Sequence, residues 1–269
     1  MDRLPVVAGQ FYSNDPDALK QDIASCMSTA EGKMSEHTVL AMVPHAGYPF
    51  SGGVCGKTMG EANFASRVIL LGPNHTGNGR PLAVWPDGVW RIPGGEVPVD
   101  EMLAARVIAC HTALEADTVA HAYEHSLEVV LPFLRTVRPD AGIVPICVAE
   151  SNLDVLRAVA GSIAATLKQD PKPASIVVSS DMSHFLSDVE TRKLDTSALN
   201  AAVALDAEAL YHEVLSKDIS MCGILPMTLG LFLARELGAT SARLVAYSTS
   251  GDVTGDYSKV VGYAGILAS

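Results

Sequence analysis

Residues 38–48, which read TVLAMVPHAGY, decide the fold of this chain. The first six form a continuous apolar run, and such a run without alternation is typical of a strand that is covered on both faces of a sheet. The run stops at Pro44, and His45 follows at once. The stretch therefore predicts a buried strand that presents an imidazole just beyond its carboxyl end.

Further apolar runs alternate with segments of helical periodicity along the chain. The predicted strands are residues 38–43, 67–72, 142–148, 175–180, 243–248 and 259–267, with short strands and turns over 83–99. The predicted helices begin at Asp15-Pro16 and cover 54–62 behind a glycine-rich turn at 51–53, 100–114, 125–137 with a bend at Pro132, 152–168, two segments within 191–215, and 222–237. This alternation predicts a mainly parallel central sheet with helices on both faces, and the last two strands, with no helix between them, predict an antiparallel edge. Without repeats or linkers, residues 1–269 are expected to form a single three-layer α/β domain.

Composition excludes several classes of function. With 19 basic and 30 acidic residues, the net charge is −11, and a nucleic-acid partner is not expected because a phosphate backbone needs a basic surface. The uncharged stretches at 37–56 and 222–234 are, respectively, interrupted by proline and glycine and too short, so no membrane segment is predicted. Five cysteines without a CxxC pair, in a chain without a signal-peptide pattern, indicate reduced thiols and a cytoplasmic location.

Three of the predicted strands are followed closely by a histidine. These histidines are His45, His75 and His184. In open sheets of this kind, ligands bind beyond the carboxyl ends of the strands. Imidazole is the commonest metal ligand in proteins and also titrates near neutral pH. A loop or core role would explain each histidine alone, but together they predict a metal or acid–base site at one edge of the sheet.

His125 and Cys222 are further candidates, each with an alternative. His125 lies at the start of a predicted helix, where capping explains its neighbours but a cationic imidazole is unfavourable. Cys222 lies at another predicted helix start, where the thiolate is stabilised for metal binding or nucleophilic attack, while simple burial is the alternative. Core packing accounts for Cys26, Cys110 and Cys147, whereas Cys55 could be either a packing or a functional residue, with packing favoured. No role is assigned to the other histidines (His37, His111, His121 and His212).

These residues lie in segments that resemble the Memo family, called AmmeMemoRadiSam system protein B in microbes. The matching segments are AGQFY at 8–12, PHAGY at 44–48, LGPNH at 71–75, EHSLE at 124–128, SSDMSH at 179–184 and the pair Cys222-Gly223. They occur in order and span nearly the whole chain. The resemblance implies a fold similar to the catalytic subunits of class III extradiol dioxygenases, which are non-haem iron(II) enzymes.

The resemblance also implies roles for individual residues. The metal ligands it implies are His45, His75 and Cys222. Asp181 and His184 border the site as catalytic residues, with His184 as the acid or base, and the expected substrate-binding residues are His125, Tyr48 and Glu128. One metal ion is expected, with iron(II) favoured and copper or zinc as alternatives, because a thiolate is a softer donor than the carboxylate of the dioxygenases.

Besides this difference from the dioxygenases, the chain departs from eukaryotic members of the family just after Cys222. In eukaryotic members of the family, the residues after the Cys-Gly pair resemble Arg-His-Pro, whereas this chain has Ile224-Leu225-Pro226. Ligand recognition that depends on those polar groups is therefore not expected here.

Three functions follow as hypotheses. The first is a mononuclear metal protein that acts as a redox enzyme on an unknown small molecule. The second is a non-catalytic scaffold that retains a dioxygenase-like cleft for a peptide or protein, although an acidic chain without a basic cluster is a poor phosphopeptide receptor. The third is a metal-independent cysteine hydrolase that uses Cys222 with His184 or His125. The family context implies a radical SAM protein and an AMMECR-type protein as partners.

Overall fold

The strands of the protein, seen in a computed structural model that describes all 269 residues, form one large and one small sheet. The strands are β1 (Asp2–Arg3), β2 (Leu40–Val43), β3 (Arg67–Pro73), β4 (Leu82–Val84), β5 (Val89–Ile92), β6 (Gly95–Pro98), β7 (Glu115–Ala116), β8 (Gly142–Val148), β9 (Ala174–Ser179), β10 (His184–Leu186), β11 (Ala242–Thr249) and β12 (Val260–Ala268). The helices are α1 (Pro16–Cys26), α2 (Tyr48–Glu61), α3 (Glu101–Cys110), α4 (Leu131–Val137), α5 (Leu153–Lys168), α6 (Asp188–Val203), α7 (Ala207–Ser216), α8 (Ile224–Glu236) and α9 (Gly251–Thr254).

The centre of the large sheet is parallel, as predicted. Its spatial order is β10-β12-β2-β9-β3-β8-β4-β7, with β11 paired to β12. Strands β2, β9, β3 and β8 run in the same direction. Val43 at the end of β2 lies in register with Ser179 at the end of β9, and Leu71 of β3 lies in register with Val178. The carboxyl ends of β2, β9 and β3 therefore meet at one edge of the sheet.

One side of the large sheet is antiparallel, which confirms the prediction for the last two strands. β11 pairs antiparallel with β12, and β12 also pairs antiparallel with β2. β11 is thus the outer strand, and β12 joins it to the parallel centre. The small sheet consists of β1, β5 and β6.

Helices cover both faces of the large sheet and complete the three layers. α8 lies on one face, where Gly230 brings its backbone close to Leu40 and Val178. α2 lies on the other face, where Thr58 faces Gly265 of β12. Because both faces are covered, the central strands are buried along their length, as their unbroken apolar sequence predicted.

Residues 121–130 differ most from the prediction. The predicted helix over 125–137 begins only at Leu131, and the residues before it form turns and irregular backbone. Pro132 lies in the first turn of α4, where its missing N–H costs nothing, and it causes no bend in mid-helix. Leu127 and Val130 have the helical spacing because they are buried in the core, not because the backbone is helical.

Two other helix starts were also misplaced. α2 begins at Tyr48 and includes residues 51–53, which were predicted as a turn. α8 begins at Ile224, so Cys222 precedes the helix and its N-cap residue, Gly223. No helix combines the length and the apolar character that a membrane crossing requires.

Candidate metal centre

Three imidazoles converge at the carboxyl edge of the sheet. One ring nitrogen from each of His45, His75 and His125 lies within 4.8 Å of the other two. The ring centroid of His45 is 5.3 Å from that of His75 and 5.5 Å from that of His125. The rings of His75 and His125 stack, with their centroids 4.8 Å apart. His45 is buried, whereas the other two are partly exposed. A set of three imidazoles this close could hold a metal ion.

The topology of the sheet explains why two of these histidines meet. His45 follows β2 by two residues, and His75 follows β3 by two residues. β9 lies between these strands and ends at Ser179, which fills the space between the two turns. His125 comes from the irregular segment between β7 and α4.

The hydrogen bonds of His45 fix which of its nitrogens is free. Its Nδ1 lies 2.7 Å from Ser179 Oγ, and that hydroxyl donates its own proton to the carbonyl oxygen of Ser126 at 2.7 Å. Ser179 Oγ therefore accepts from Nδ1–H, and the lone pair remains on Nε2. Burial, together with the nearby His125 and His75, holds the pKa of His45 well below its usual range, so the ring stays neutral, as a metal ligand must be.

His75 is oriented by a buried carboxylate. Glu124 accepts from His75 Nδ1 at 2.9 Å and from the main-chain N–H of the same residue at 2.5 Å. It also accepts from the N–H of Ser126 at 2.9 Å, so the carboxylate is itself held in place. Nδ1 is thus the protonated nitrogen, and Nε2 keeps its lone pair. A histidine that donates its second nitrogen to a carboxylate is the usual arrangement around protein-bound metals.

The charges of this pair shift both pKa values. Burial lowers the pKa of His75, but the hydrogen bond and charge of Glu124 outweigh it, so the pKa is raised. Burial likewise raises the pKa of Glu124, but the bonds from His75 and Ser126 lower it to about 2. Glu124 is therefore ionised at any physiological pH, and it makes the imidazole of His75 more basic.

His125 completes the cluster from the irregular segment before α4. Its ring packs against Phe11 with centroids 4.9 Å apart, and its Nδ1 lies 3.6 Å from Glu124 Oε1. Burial lowers the pKa of His125. The expectation that His125 opens a helix was wrong, and the residue instead stands in an irregular segment beside His75.

Cys222 lies against one member of the cluster. Its Sγ is 3.4 Å from His45 Nε2 and accepts from the N–H of Asp181 at 3.2 Å. Burial raises the pKa of the thiol, and the charge of Asp181 adds to the effect. A protonated thiol beside an imidazole of depressed pKa is poorly prepared for nucleophilic attack, which argues against the cysteine hydrolase. A metal ion would displace the proton and make the sulfur a ligand.

Asp181 and His184 lie on the chain that leaves β9. Asp181 is buried, and its Oδ1 accepts from the N–H of His45 at 2.8 Å, so the carboxylate fixes the turn that carries this histidine. Burial raises the pKa of Asp181. His184 Nδ1 lies 2.8 Å from the carbonyl oxygen of Ser220, so Nδ1–H donates this hydrogen bond and Nε2 is the other ring nitrogen, not engaged by Ser220.

Tyr48 and Glu128, the other expected substrate-binding residues, are engaged in structural contacts. The Tyr48 hydroxyl is buried and donates to the carbonyl oxygen of Val129 at 2.9 Å. Glu128 is fully buried, pairs with Arg3 at 2.6 Å and accepts from the Tyr12 hydroxyl at 2.8 Å. These contacts give no support to a substrate-binding role for either side chain.

Comparison with known proteins shows the family of the chain. Residues 3–267 match the family model described as Memo-like protein. The chain belongs to the Memo family. A MEMO1 family protein of Methanococcoides burtonii is 40% identical over 266 residues, covering 98% of this chain and 99% of the relative. Another, from Aquifex aeolicus, is 40% identical over 266 residues and covers 98% of both chains.

The fold also has a counterpart among solved structures. An uncharacterised protein of Escherichia coli K12 superposes with a TM-score of 0.52 at 12% identity, over 85% of this chain and 99% of that one. At this identity the likeness concerns the fold alone.

Three residues of this Memo family site escaped the sequence analysis. Ser179 lies within the predicted strand 175–180, and Glu124 was explained as a helix cap, so neither was recognised as a partner of an imidazole. Arg3, which contacts the segment that carries Glu124, is more than a hundred residues away from it in sequence. Glu124 alone left a usable signal, because a histidine that binds a metal usually donates its second nitrogen to a carboxylate, a carbonyl group or water.

Proposed function

We propose that this protein binds one metal ion at the imidazole cluster and uses it in redox chemistry on a small molecule. The convergence of three imidazole nitrogens within 4.8 Å is the observation that carries the proposal. The donor set suits a metal ion, because Nδ1 of His45 and of His75 is occupied by a protein partner, which leaves the lone pair of each ring on Nε2. His45 and His75 are the two ligands proposed with most support.

Cys222 and His125 supply the remaining donors in this proposal. The sulfur of Cys222 approaches His45 Nε2 at 3.4 Å from one side, and the ring of His125 stacks on His75 from the other. Imidazole with thiolate suits iron, copper and zinc. Iron(II) is the metal we propose, since the family resembles the extradiol dioxygenases.

Asp181 and His184 act beside the metal ion in this proposal. The metal, when bound, supplies Lewis acidity and an open coordination position for a small molecule. Asp181 keeps the His45 turn in place through the main-chain N–H. His184 serves as the acid or base, because its Nδ1–H is anchored on Ser220 and its Nε2 remains free to exchange a proton.

Elemental analysis of freshly purified protein tests the metal centre. Wild-type protein is expected to contain close to one metal ion per chain, and His45→Ala and Cys222→Ser are expected to lose it. His212→Ala is the matched control, since His212 is exposed on α7. Metal content that is unchanged in both site variants would refute the assignment.

Nitric oxide tests the redox part separately. Anaerobic iron(II)-loaded protein is expected to give a high-spin iron–nitrosyl signal in electron paramagnetic resonance, because the probe needs an open position on the iron. Iron that binds stoichiometrically but gives no such signal would leave the metal site in place and remove the oxidoreductase.

A further inference from the structure

We propose that Arg3 is a positioning residue for the metal centre, an inference that rests on the proposed function. Arg3 belongs to β1 in the small sheet, and its side chain is 3% exposed. It touches none of the three clustered histidines. Apart from a bond to the carbonyl oxygen of Leu4 and a contact with the Trp90 ring, its polar contacts lie on residues 121–128, the segment that supplies part of the site.

The guanidinium binds this segment at three points. Nε donates to the carbonyl oxygen of His121 at 3.1 Å, Nη2 donates to that of Glu124 at 2.5 Å, and Nη1 pairs with the carboxylate of Glu128 at 2.6 Å. The flat face of the guanidinium lies over the Trp90 ring, 4.3 Å from its centroid. The side chain is thus fixed from the small sheet on one side and grips residues 121–128 on the other.

This segment depends on side-chain contacts for its shape. Residues 121–130 contain no helix or strand, so no regular backbone ladder holds them. The segment nevertheless carries Glu124, which orients His75 at 2.9 Å, and His125, which stacks on the same ring. A shift of the Glu124 backbone would therefore move two of the three imidazoles.

Glu128 extends the same clamp to the beginning of the chain. Its carboxylate accepts from the N–H groups of Val6 and Val7 at 2.9–3.0 Å as well as from Arg3. The first seven residues of the chain are therefore bound to residues 121–128 both by the Arg3 guanidinium and by the Glu128 carboxylate. Phe11, a little further along, packs on His125, so the clamp also holds the aromatic cover of that ring.

The fork of the guanidinium is essential to this role. A lysine would keep the positive charge beside Glu128, but a single ammonium cannot reach three acceptors in the geometry of the planar fork. Arg3→Lys therefore separates positioning from charge compensation. Loss of a residue that hydrogen-bonds a metal-binding side chain directly lowers metal affinity by about 10–100-fold, and Arg3, which acts through the Glu124 segment, belongs at the lower end of this range.

The test is a cobalt(II) titration of the full chain, followed by its ligand-field spectrum. Arg3→Lys is expected to bind cobalt about 10-fold more weakly than wild type and with an altered spectrum. Arg67→Lys is the matched control, because Arg67 is also a mostly buried arginine that forms ion pairs, with Asp170 at 2.5 Å and with Asp100 at 3.2 Å. It stands at the opposite end of β3, about 20 Å from the site at 3.3 Å per residue, so it should lose stability and leave affinity and spectrum unchanged.

Each result has one meaning. Unchanged affinity and spectrum in folded Arg3→Lys would overturn the inference while the metal site stands. Wild-type protein that binds no cobalt would refute the proposed function and the inference with it. If circular dichroism shows that Arg3→Lys is unfolded, Glu128→Gln decides: weaker binding supports the clamp, and wild-type binding overturns it.

Discussion

Glu124 shows how one side chain can organise a site without joining it. Its carboxylate binds the Nδ1 and the main-chain N–H of His75 and approaches the ring of His125. Because it is buried and ionised, its charge acts at close range on both imidazoles. The ligands of the cluster are thus tuned by a residue that the sequence presented as a helix cap.

Replacing Glu124 by glutamine is expected to weaken metal binding about 10–100-fold. The amide is uncharged and can accept through one oxygen only, so it cannot hold both the ring and the main chain of His75 while keeping the imidazole basic. Isothermal titration with zinc measures the change. Glu236→Gln, at an exposed position of α8, provides the control, and equal affinities for the two variants would contradict the role of Glu124.

His121 gives the stability of the protein a dependence on pH. Burial lowers its pKa to about 4, against the hydrogen bond that its Nε2 makes with the carbonyl oxygen of Ala83. Between the usual pKa near 6.5 and this value, the unfolded chain takes up a proton that the folded chain does not, so stability falls as pH falls. From about pH 7 to about pH 4.5, this group alone removes about 2 kcal/mol.

Urea unfolding at these two pH values is the measurement. His121→Gln is expected to show a smaller loss of unfolding free energy on acidification than wild type, whatever its stability at neutral pH. The exposed His212 serves as the control site. An acid-side loss that is the same in His121→Gln and wild type would exclude His121 as the source.

At the scale of elements, the predictable parts of this protein were those that obey a local rule. Residues 40–43 and 176–178 lie in the sheet centre and are apolar and fully buried, so their sequence alone marks them as parts of buried strands. The segment before α4 shares that burial without a regular backbone, and its apolar spacing imitated a helix. His45 and His75 were predictable because a parallel sheet brings strand ends together. Arg3 was not, since its position depends on the docking of a separate small sheet.

The packing of α2 on β12 depends on a position without a side chain. A Cβ at Gly265 would lie 1.8 Å from Thr58 Oγ1 and 3.0 Å from its Cβ, well inside contact distance. Gly265→Ala is therefore expected to lower the free energy of unfolding by about 1–3 kcal/mol, the usual cost of overpacking. Adding Thr58→Ala removes the nearest atom and should recover part of the loss. A double variant no more stable than additivity predicts would contradict this contact.

At the scale of the whole molecule, the candidate site gathers side chains from across the chain. Two turns of the sheet, the irregular segment before α4 and the turn before α8 each contribute one donor residue. A ligand that joins these parts should stabilise the native state alone, because the unfolded chain cannot bring them together.

Cobalt or zinc is accordingly expected to raise the melting temperature. At a concentration 100-fold above the dissociation constant, binding contributes about 2.7 kcal/mol, which corresponds to about 5–10 °C for a chain of this size. Magnesium at the same concentration should have no effect, since it prefers oxygen ligands. His75→Ala should abolish the shift, and a shift that persists in this variant would place the stabilising ion elsewhere.

In the proposed function, side chains that are distant in sequence share a single metal ion at the carboxyl edge of the sheet. An anomalous difference map from a crystal of the metal-loaded protein tests it directly. If both rings bind the same ion, the map is expected to show one strong peak about 2.0–2.1 Å from Nε2 of both His45 and His75. A peak that touches neither ring, or separate peaks on the two rings, would contradict it.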